Sequence, residues 1–266
     1  MKKRDTENYI GYHKNAAYTF FICMFFYLIS ILTVSFPLYA RGNQEPLQVE
    51  PSISNPEEKL SEWYEVDKSA SRYQSVYSEI ENILLTAEDA GLPVGLIMLK
   101  LKEGADKGIP PERLAAALQK EKQRLSAADT ILSPFKEMLS EDTLISGYKR
   151  ISVYLRAGIP KHVISQSLSI TREKDYEIVR VYKALDTLAE LLSLSGIPDN
   201  MQSKLVKSLI ISDIPDKGFT SLPSLFLKSR ARGMGDIEII QLITNVLGQG
   251  TGLLRLEEEL TQRRRM

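Results

Sequence analysis

The sequence predicts an all-α protein, either an irregular antiparallel helical bundle or a short helical-repeat array, after an N-terminal signal or anchor segment. Three observations lead to this prediction. Glycine-aliphatic-proline triplets begin at Gly91, Gly108, Gly158 and Gly196. The segments that follow them place apolar residues at helical spacing. No stretch alternates with period two for long enough to predict a strand.

The first forty residues form a segment of their own. Basic residues at positions 2–4 and Lys14 precede an uncharged run at 15–40, whose core reads FFICMFFYLISILTV. A positive start, an apolar stretch, Pro37 and a small residue at Ala40 are typical of a secretory signal cleaved after Ala40. The run has 26 residues, which is also long enough for an uncleaved membrane span.

Charges around this segment predict where the rest of the chain lies. Basic residues precede the apolar run and Glu45, Glu50, Glu57 and Glu58 follow it, which places the following residues outside the cytoplasm. We therefore expect an exported protein that contacts the membrane through residues 15–40, at least during export. It would lie in the periplasm after cleavage, or at the outer face of the inner membrane if a single N-terminal span is retained. Cys23 lies inside the apolar run, without the small residues that precede a lipid-modified cysteine.

Composition excludes several classes of partner and cofactor. Lys plus Arg and Asp plus Glu are equal at 34 each, so no charge excess predicts a nucleic-acid partner. The single cysteine leaves no metal-type cysteine spacing, and no cysteine follows residue 40. We predict no cofactor, no metal site and no disulfide in the exported part.

Residues 41–56 are predicted to be a flexible linker, and 57–266 a helical repeat-like domain. The linker, RGNQEPLQVEPSISNP, holds three prolines and shows no apolar periodicity. Asn55 before Pro56 and two glutamates predicts a helix start. From there to Ala90, apolar residues recur on one helical face at Tyr73, Val76, Tyr77, Ile80, Ile83 and Leu84.

Each triplet predicts a corner between two helices. Glycine adopts a positive φ just past a helix end, and the aliphatic residue folds back onto the last turn. Proline cannot extend the old helix but suits the beginning of a new one. Asp213-Ile214-Pro215 and Gly233-Met234-Gly235 are degenerate copies of the triplet. Recurring but imperfect intervals between the corners favour a repeat array or an irregular bundle.

Amphipathic segments follow the corners in order. The first carries Val94, Ile97, Met98 and Leu101, and the next has leucines every seven residues from Leu118 to Leu139. Pro134 should kink or restart that helix. Later helices are predicted on three further sets of residues: Val163, Ile164 and Leu168; Ile178, Tyr182, Leu185, Ala189 and Leu192; Met201, Leu205 and Leu209. The segment DIEIIQLITNVL matches a helical face through Ile237, Ile240, Ile243 and Leu247.

The corners carry a resemblance to a known group of proteins. The segments GIPPERL and GIPKHVI, and less closely GLPVGLI and GIPDNMQSKL, place an aliphatic residue a few positions after each triplet. This arrangement resembles uncharacterised exported all-helical proteins of diderm bacteria with repeated Gly-aliphatic-Pro helix corners, and it covers about residues 91–215. The resemblance implies a helical envelope protein and brings no activity with it.

Five patterns that could carry chemistry or binding have competing structural explanations. His162, the last histidine of the chain, is expected to be a surface residue in the first turn of a helix. Ser133-Pro134-Phe135-Lys136 matches S-x-x-K but has no K-T-G partner. The glycine-rich GQGTG at 248–252 is expected to be a turn between helices, and Arg263–Arg265 a solvated helix end. Trp63 and Tyr64 are candidates for a partner contact, beside Tyr73 and Tyr77 on the apolar face.

These observations predict an exported binding or scaffolding protein of the cell envelope, with a protein partner, and not an enzyme. Stacked helices offer extended surfaces to other chains. No catalytic residue is predicted. The alternative is a peptidoglycan-acting hydrolase of helical fold, which would need an acidic residue with a raised pKa in a cleft.

Overall fold

The computed structural model describes residues 55–174 and 176–262. The regular secondary structure of these residues is helical. The α-helices are α1 Pro56–Val66, α2 Tyr77–Asp89, α3 Val94–Asp106, α4 Pro111–Leu132, α5 Glu141–Arg156, α6 Lys161–Lys174, α7 Ile178–Leu194, α8 Asp199–Ile211, α9 Leu222–Ala231, α10 Asp236–Leu247 and α11 Leu253–Gln262. Short 3₁₀ helices span Ala70–Val76, Ser133–Met138 and Asp216–Ser221. No strand occurs among the described residues, which confirms the all-α prediction. The predicted signal or anchor, nearly all of the predicted linker, and Arg263–Arg265 lie outside them.

The predicted first helix is two helices, and its continuity was predicted wrongly. It begins as expected, because the Asn55 side chain accepts from the Glu57 backbone N–H at 3.1 Å. The Asp67 carboxylate ends it by accepting from the Ser69 backbone N–H at 2.8 Å and from the Ser69 hydroxyl at 2.7 Å. The second hydrogen bond, above all, lowers the Asp67 pKa. A turn and the first 3₁₀ helix follow before α2 begins.

Three of the four Gly-aliphatic-Pro triplets form the predicted corner. Gly91, Gly108 and Gly158 have φ of +65°, +65° and +89°. The next backbone N–H bonds to the carbonyl five residues back, as in Ile159 N to Tyr154 O at 3.0 Å, which is the Schellman ending. The degenerate copy at Gly233 has φ of +92° and the same ending.

The triplet at Gly196 is a corner of another kind, and the prediction of a positive φ there is wrong. Helix α7 ends at Ser195, whose backbone is extended, with φ of −153° and ψ of 152°. The extended residue already turns the chain out of the helix, so Gly196 needs no left-handed conformation. Ser212 ends α8 in an extended conformation too, with φ of −64° and ψ of 160°. Ile197 and Ile214, which follow two residues later, are both buried.

Helices that are near in sequence are packed together. Each helix from α1 to α11 contacts its neighbour in the chain, except that α8 and α9 share no extensive contact. Helices two places apart also pack, which produces one layer of α2, α4, α6, α8 and α10 and a second layer of α5, α7 and α9. The described residues belong to one unit. Packing limited to near neighbours is typical of a helical array.

The predicted apolar faces form one continuous core from Leu60 to Leu260. Helix α4 stops at Leu132, and Pro134 lies in the following 3₁₀ helix, which confirms the predicted break. In α10, Ile240, Ile243 and Leu247 are buried as predicted, whereas Ile237 is 40% exposed. The buried face of that helix includes Ile239, Leu242 and Val246 instead.

Candidate functional site

The aromatic cluster around Trp63 and Tyr64 joins α1 to the helices that follow. Trp63 is only 4% exposed, and its Nε1–H donates to Asp67 Oδ2 at 2.9 Å. Tyr64 is half-buried and donates its hydroxyl to the Tyr73 carbonyl at 2.9 Å. Burial first, and then the nearby Tyr77, raises the Tyr64 pKa to about 12. The contact with a partner stays a prediction, and the surface for it would come from Tyr64, since the Trp63 ring is in the core.

The S-x-x-K segment has a structural role for its lysine. Lys136 Nζ lies 2.5 Å from Asp129 Oδ1, and the Tyr148 hydroxyl donates to the same carboxylate. Although partial burial opposes it, the hydrogen bonds from Lys136 and Tyr148 lower the Asp129 pKa. Burial and the Asp129 carboxylate raise the Tyr148 pKa to about 12. Lys136 therefore ties the 3₁₀ helix after α4 to α4 itself, and Tyr148 ties α5 to α4.

The histidine and the glycine-rich segment lie where the sequence predicted. His162 is exposed in the first turn of α6. Residues 248–252 form the turn between α10 and α11, with Gly250 at φ +73°. The Thr251 hydroxyl donates to the Val246 carbonyl at 2.6 Å, so the turn closes on the end of α10.

Side chains of two helices, α6 and α8, line a groove. Its volume is about 160 Å³. A stripe at helical spacing lines it from α6, and three residues of α8 face that stripe. The lining residues are Val163, Gln166, Ser167, Ile170, Ser203, Lys204 and Lys207.

The floor of the groove is apolar and its rim is polar. Val163 is fully buried, and Ile170 is half-buried. The Ser167 hydroxyl donates to the Val163 carbonyl at 2.7 Å, so it is already satisfied within α6. At the rim, the Ser203 hydroxyl donates to Gln166 Oε1 at 3.4 Å and links the two helices. An apolar floor with a few polar groups at its rim is the usual make-up of a binding site.

The groove is positively charged. Lys204 and Lys207 are exposed, and among the described residues neither has a carboxylate within ion-pair distance. Residues 161–171 and 200–211 contain no Asp or Glu. The carboxylate of Asp199, at the start of α8, accepts from Gln202 Nε2 at 3.2 Å.

A second polar cluster joins α5 to α7. Asp186 accepts from the Tyr154 hydroxyl at 2.8 Å and from Arg150 at 3.0 Å. The Arg150 guanidinium also lies 5.2 Å from the Tyr182 ring centre. Glu190 is one turn beyond Asp186 at the surface, where partial desolvation of its carboxyl, and then the Asp186 charge, raises its pKa.

Sequence reasoning did not find the groove, because its two walls lie far apart along the chain. The sequence of each wall taken alone predicts an ordinary amphipathic helix. The available signal was the lack of carboxylates in 161–171 and 200–211, beside lysines one turn apart in α8. Only the packing of α6 on α8 turns these two stretches into one surface.

Three further findings bear on function. Within the described residues, no group of three or more His, Cys, Asp or Glu side chains could hold a metal ion. No helix in 55–174 or 176–262 has both the length and the apolar character needed to cross a membrane. No protein-family model, curated protein or solved structure matches the chain.

Proposed function

We propose that this chain is an exported binding or scaffolding protein of the cell envelope, and that its partner is a protein. The observation that supports this most is the packing of each helix on its near neighbours in two layers. Such packing leaves a long row of helix faces and inter-helix grooves available to another chain. The groove between α6 and α8 is one such surface.

Export is part of the proposal and rests on the sequence. The apolar run at 15–40, with basic residues before it and acidic residues after it, supports transfer of the helical part across the inner membrane. N-terminal sequencing of the native protein separates the two forms. A start at Arg41 is expected for a free periplasmic protein, and a start at Met1 for an anchored one. Recovery from the cytoplasm without any membrane association would contradict export in both forms.

Crosslinking in living cells, followed by mass spectrometry, tests the binding role. We expect repeated crosslinks from lysines of the described helices to one or a few envelope proteins. The groove lysines Lys204 and Lys207 should be among the crosslinked residues more often than Lys68 and Lys149, which lie on other helices or turns. Crosslinks that occur only within the chain would contradict a scaffolding role.

A peptidoglycan-acting hydrolase is the second candidate, and the raised pKa of Glu190 favours it. A raised carboxyl pKa is one property of a general acid. However, Glu190 does not line the groove between α6 and α8. Its neighbour Asp186 is also already held by Arg150 and Tyr154.

Peptidoglycan turnover by the purified full-length chain distinguishes these candidates. The binding role predicts no steady release of muropeptides. Steady release that Glu190→Gln abolishes would establish the hydrolase, if Glu257→Gln on α11 leaves it unchanged. Glu257 is a suitable control because it is an exposed glutamate on a helix that does not contact α7 extensively.

A further inference from the structure

We propose that the groove between α6 and α8 binds an acidic linear peptide segment of a protein partner, and that this segment inserts an aliphatic side chain between the two helices. The inference rests on the proposed binding function and names the chemistry of the partner. Three properties of the groove carry it: its charge, its apolar floor and its size.

The positive charge of the groove favours an acidic partner. Lys204 and Lys207 are one turn apart on α8, so both ammonium groups lie along the same side of the groove. No carboxylate in the neighbouring stretches 161–171 and 200–211 competes for them. The same pair of helices begins with Lys161 on α6 and Asp199 on α8, which offset each other, so the positive charge of the groove comes from Lys204 and Lys207. A negatively charged segment would therefore approach this surface favourably, and its binding would weaken as salt increases.

The apolar floor of the groove favours an aliphatic side chain of the partner. Val163 and Ile170 lie on the α6 side of the groove, and the hydroxyl of Ser167 between them is bonded to its own helix. A volume of about 160 Å³ is enough for one or two aliphatic side chains and too small for a folded domain. At the rim, Gln166 and Ser203 carry an amide and a hydroxyl that can bond to the main chain of a peptide.

The same lining argues for a peptide over a single-stranded nucleic acid. Proteins that hold single strands combine positive charge with aromatic side chains on which the bases stack. None of the residues that line this groove is aromatic. The whole chain also has no excess of basic residues.

Selection from a library of random 12-residue peptides displayed on phage, against the full-length chain in detergent micelles, identifies the preferred ligand class. We expect enriched peptides to carry several Asp or Glu residues around at least one Leu, Ile, Val or Met. Their affinity, measured by fluorescence anisotropy on the synthetic peptides, should fall at least roughly tenfold in Lys204→Glu/Lys207→Glu. The matched control Lys217→Glu/Lys228→Glu has the same net charge at exposed positions outside the groove and should bind like the parent.

A variant that blocks the groove sterically tests whether peptides insert between α6 and α8, without any change of charge. Ser203→Trp should fill the groove and lower the affinity of the selected peptides roughly tenfold. Ser165→Trp, at an exposed position of α6 outside the groove lining, should leave that affinity unchanged. Circular dichroism and melting temperature should show that all four variants remain folded.

Three results would overturn the inference. They are enrichment of peptides without acidic residues, equal binding of the selected peptides to Lys204→Glu/Lys207→Glu, and a poly-dT oligonucleotide that competes as well as the peptides. In any of these cases the binding role of the protein would still be decided separately, by the crosslinking experiment in cells.

Discussion

Gly158-Ile159-Pro160 and Gly196-Ile197-Pro198 have the same three residues, yet they turn the chain in different ways. At the first corner Gly158 has φ of +89°, and the backbone of Ile159 closes the helix end on Tyr154. At the second, Ser195 is extended and Gly196 has no positive φ. The three residues of the triplet therefore do not by themselves determine the backbone conformation of the corner. Because the aliphatic residue is buried in both cases, the triplet fixes the packing of the corner more firmly than its backbone.

The two kinds of corner also satisfy their helix-end carbonyls differently. A Schellman ending bonds them to the backbone N–H groups of the corner itself. The extended corners receive arginines from other helices, as the Schellman corner at Gly108 does from Arg72, which donates to the Ala105 carbonyl at 3.4 Å. Arg230 of α9 donates to the Leu194 carbonyl at 2.9 Å, and Arg180 of α7 donates to the carbonyls of Ile210 at 2.7 Å and Ile214 at 3.0 Å. Each extended corner is thus held by a side chain from a neighbouring helix.

Removal of Arg180 should have the largest effect. Its guanidinium donates to three backbone carbonyls, including that of Ser212, and lies 5.2 Å from the Phe219 ring centre. Arg180→Ala leaves partly buried carbonyls without donors, so we expect a loss of about 2–3 kcal/mol in the free energy of unfolding, measured with urea. Lys183→Ala, one turn away, removes a surface ion pair with Asp216 and should cost well under about 1 kcal/mol. Equal losses in the two variants would contradict the proposed dependence on Arg180.

Substitution of Gly158 by valine should come next. An added Cβ meets nothing within 4 Å, so the cost comes from the backbone conformation alone. We expect Gly158→Val to lose roughly 1 kcal/mol or more, because a β-branched residue resists a positive φ. Gly158→Asn should lose less, since Asn tolerates this conformation. An unchanged melting temperature in the valine variant would contradict the positive φ assigned to Gly158.

Removal of Arg230 should have a smaller effect than removal of Arg180. It donates to one carbonyl, that of Leu194, and its side chain is 42% exposed. We expect Arg230→Ala to cost about 0.5–1.5 kcal/mol in urea unfolding, because water can replace part of the lost hydrogen bond. Its exposed neighbour Arg232 provides the control, and Arg232→Ala should change little. A loss as large as that of Arg180→Ala would contradict the expectation that three carbonyl contacts stabilise more than one, since Arg230 also has a partly exposed ion pair with Asp236 at 3.6 Å.

Much of the fold could be predicted from local signals. Helix starts at Asn55 and after the prolines, the break at Pro134 and the Schellman corners all depend on residues within one or two turns. The break after Val66 escaped prediction because it depends on the hydrogen bonds between Asp67 and Ser69, in a stretch whose apolar spacing continues through it. The extended backbone at Ser195 depends on support from Arg230, which lies in another helix. The groove could not be predicted for the same reason, since Gln166 and Ser203 come into contact only when α6 packs on α8.

Alanine at the two glycines tests the central claim most directly, because the same substitution is made in the same three-residue context. An added Cβ at either Gly158 or Gly196 meets nothing within 4 Å, so neither variant introduces a clash. Urea unfolding should show a loss of roughly 1 kcal/mol for Gly158→Ala, where φ is positive, and no loss or a slight gain for Gly196→Ala. Asp213, which precedes Ile214-Pro215 at the other extended corner, already shows that a side chain fits such a position. Equal losses in the two variants would contradict the claim that one triplet forms two different corners.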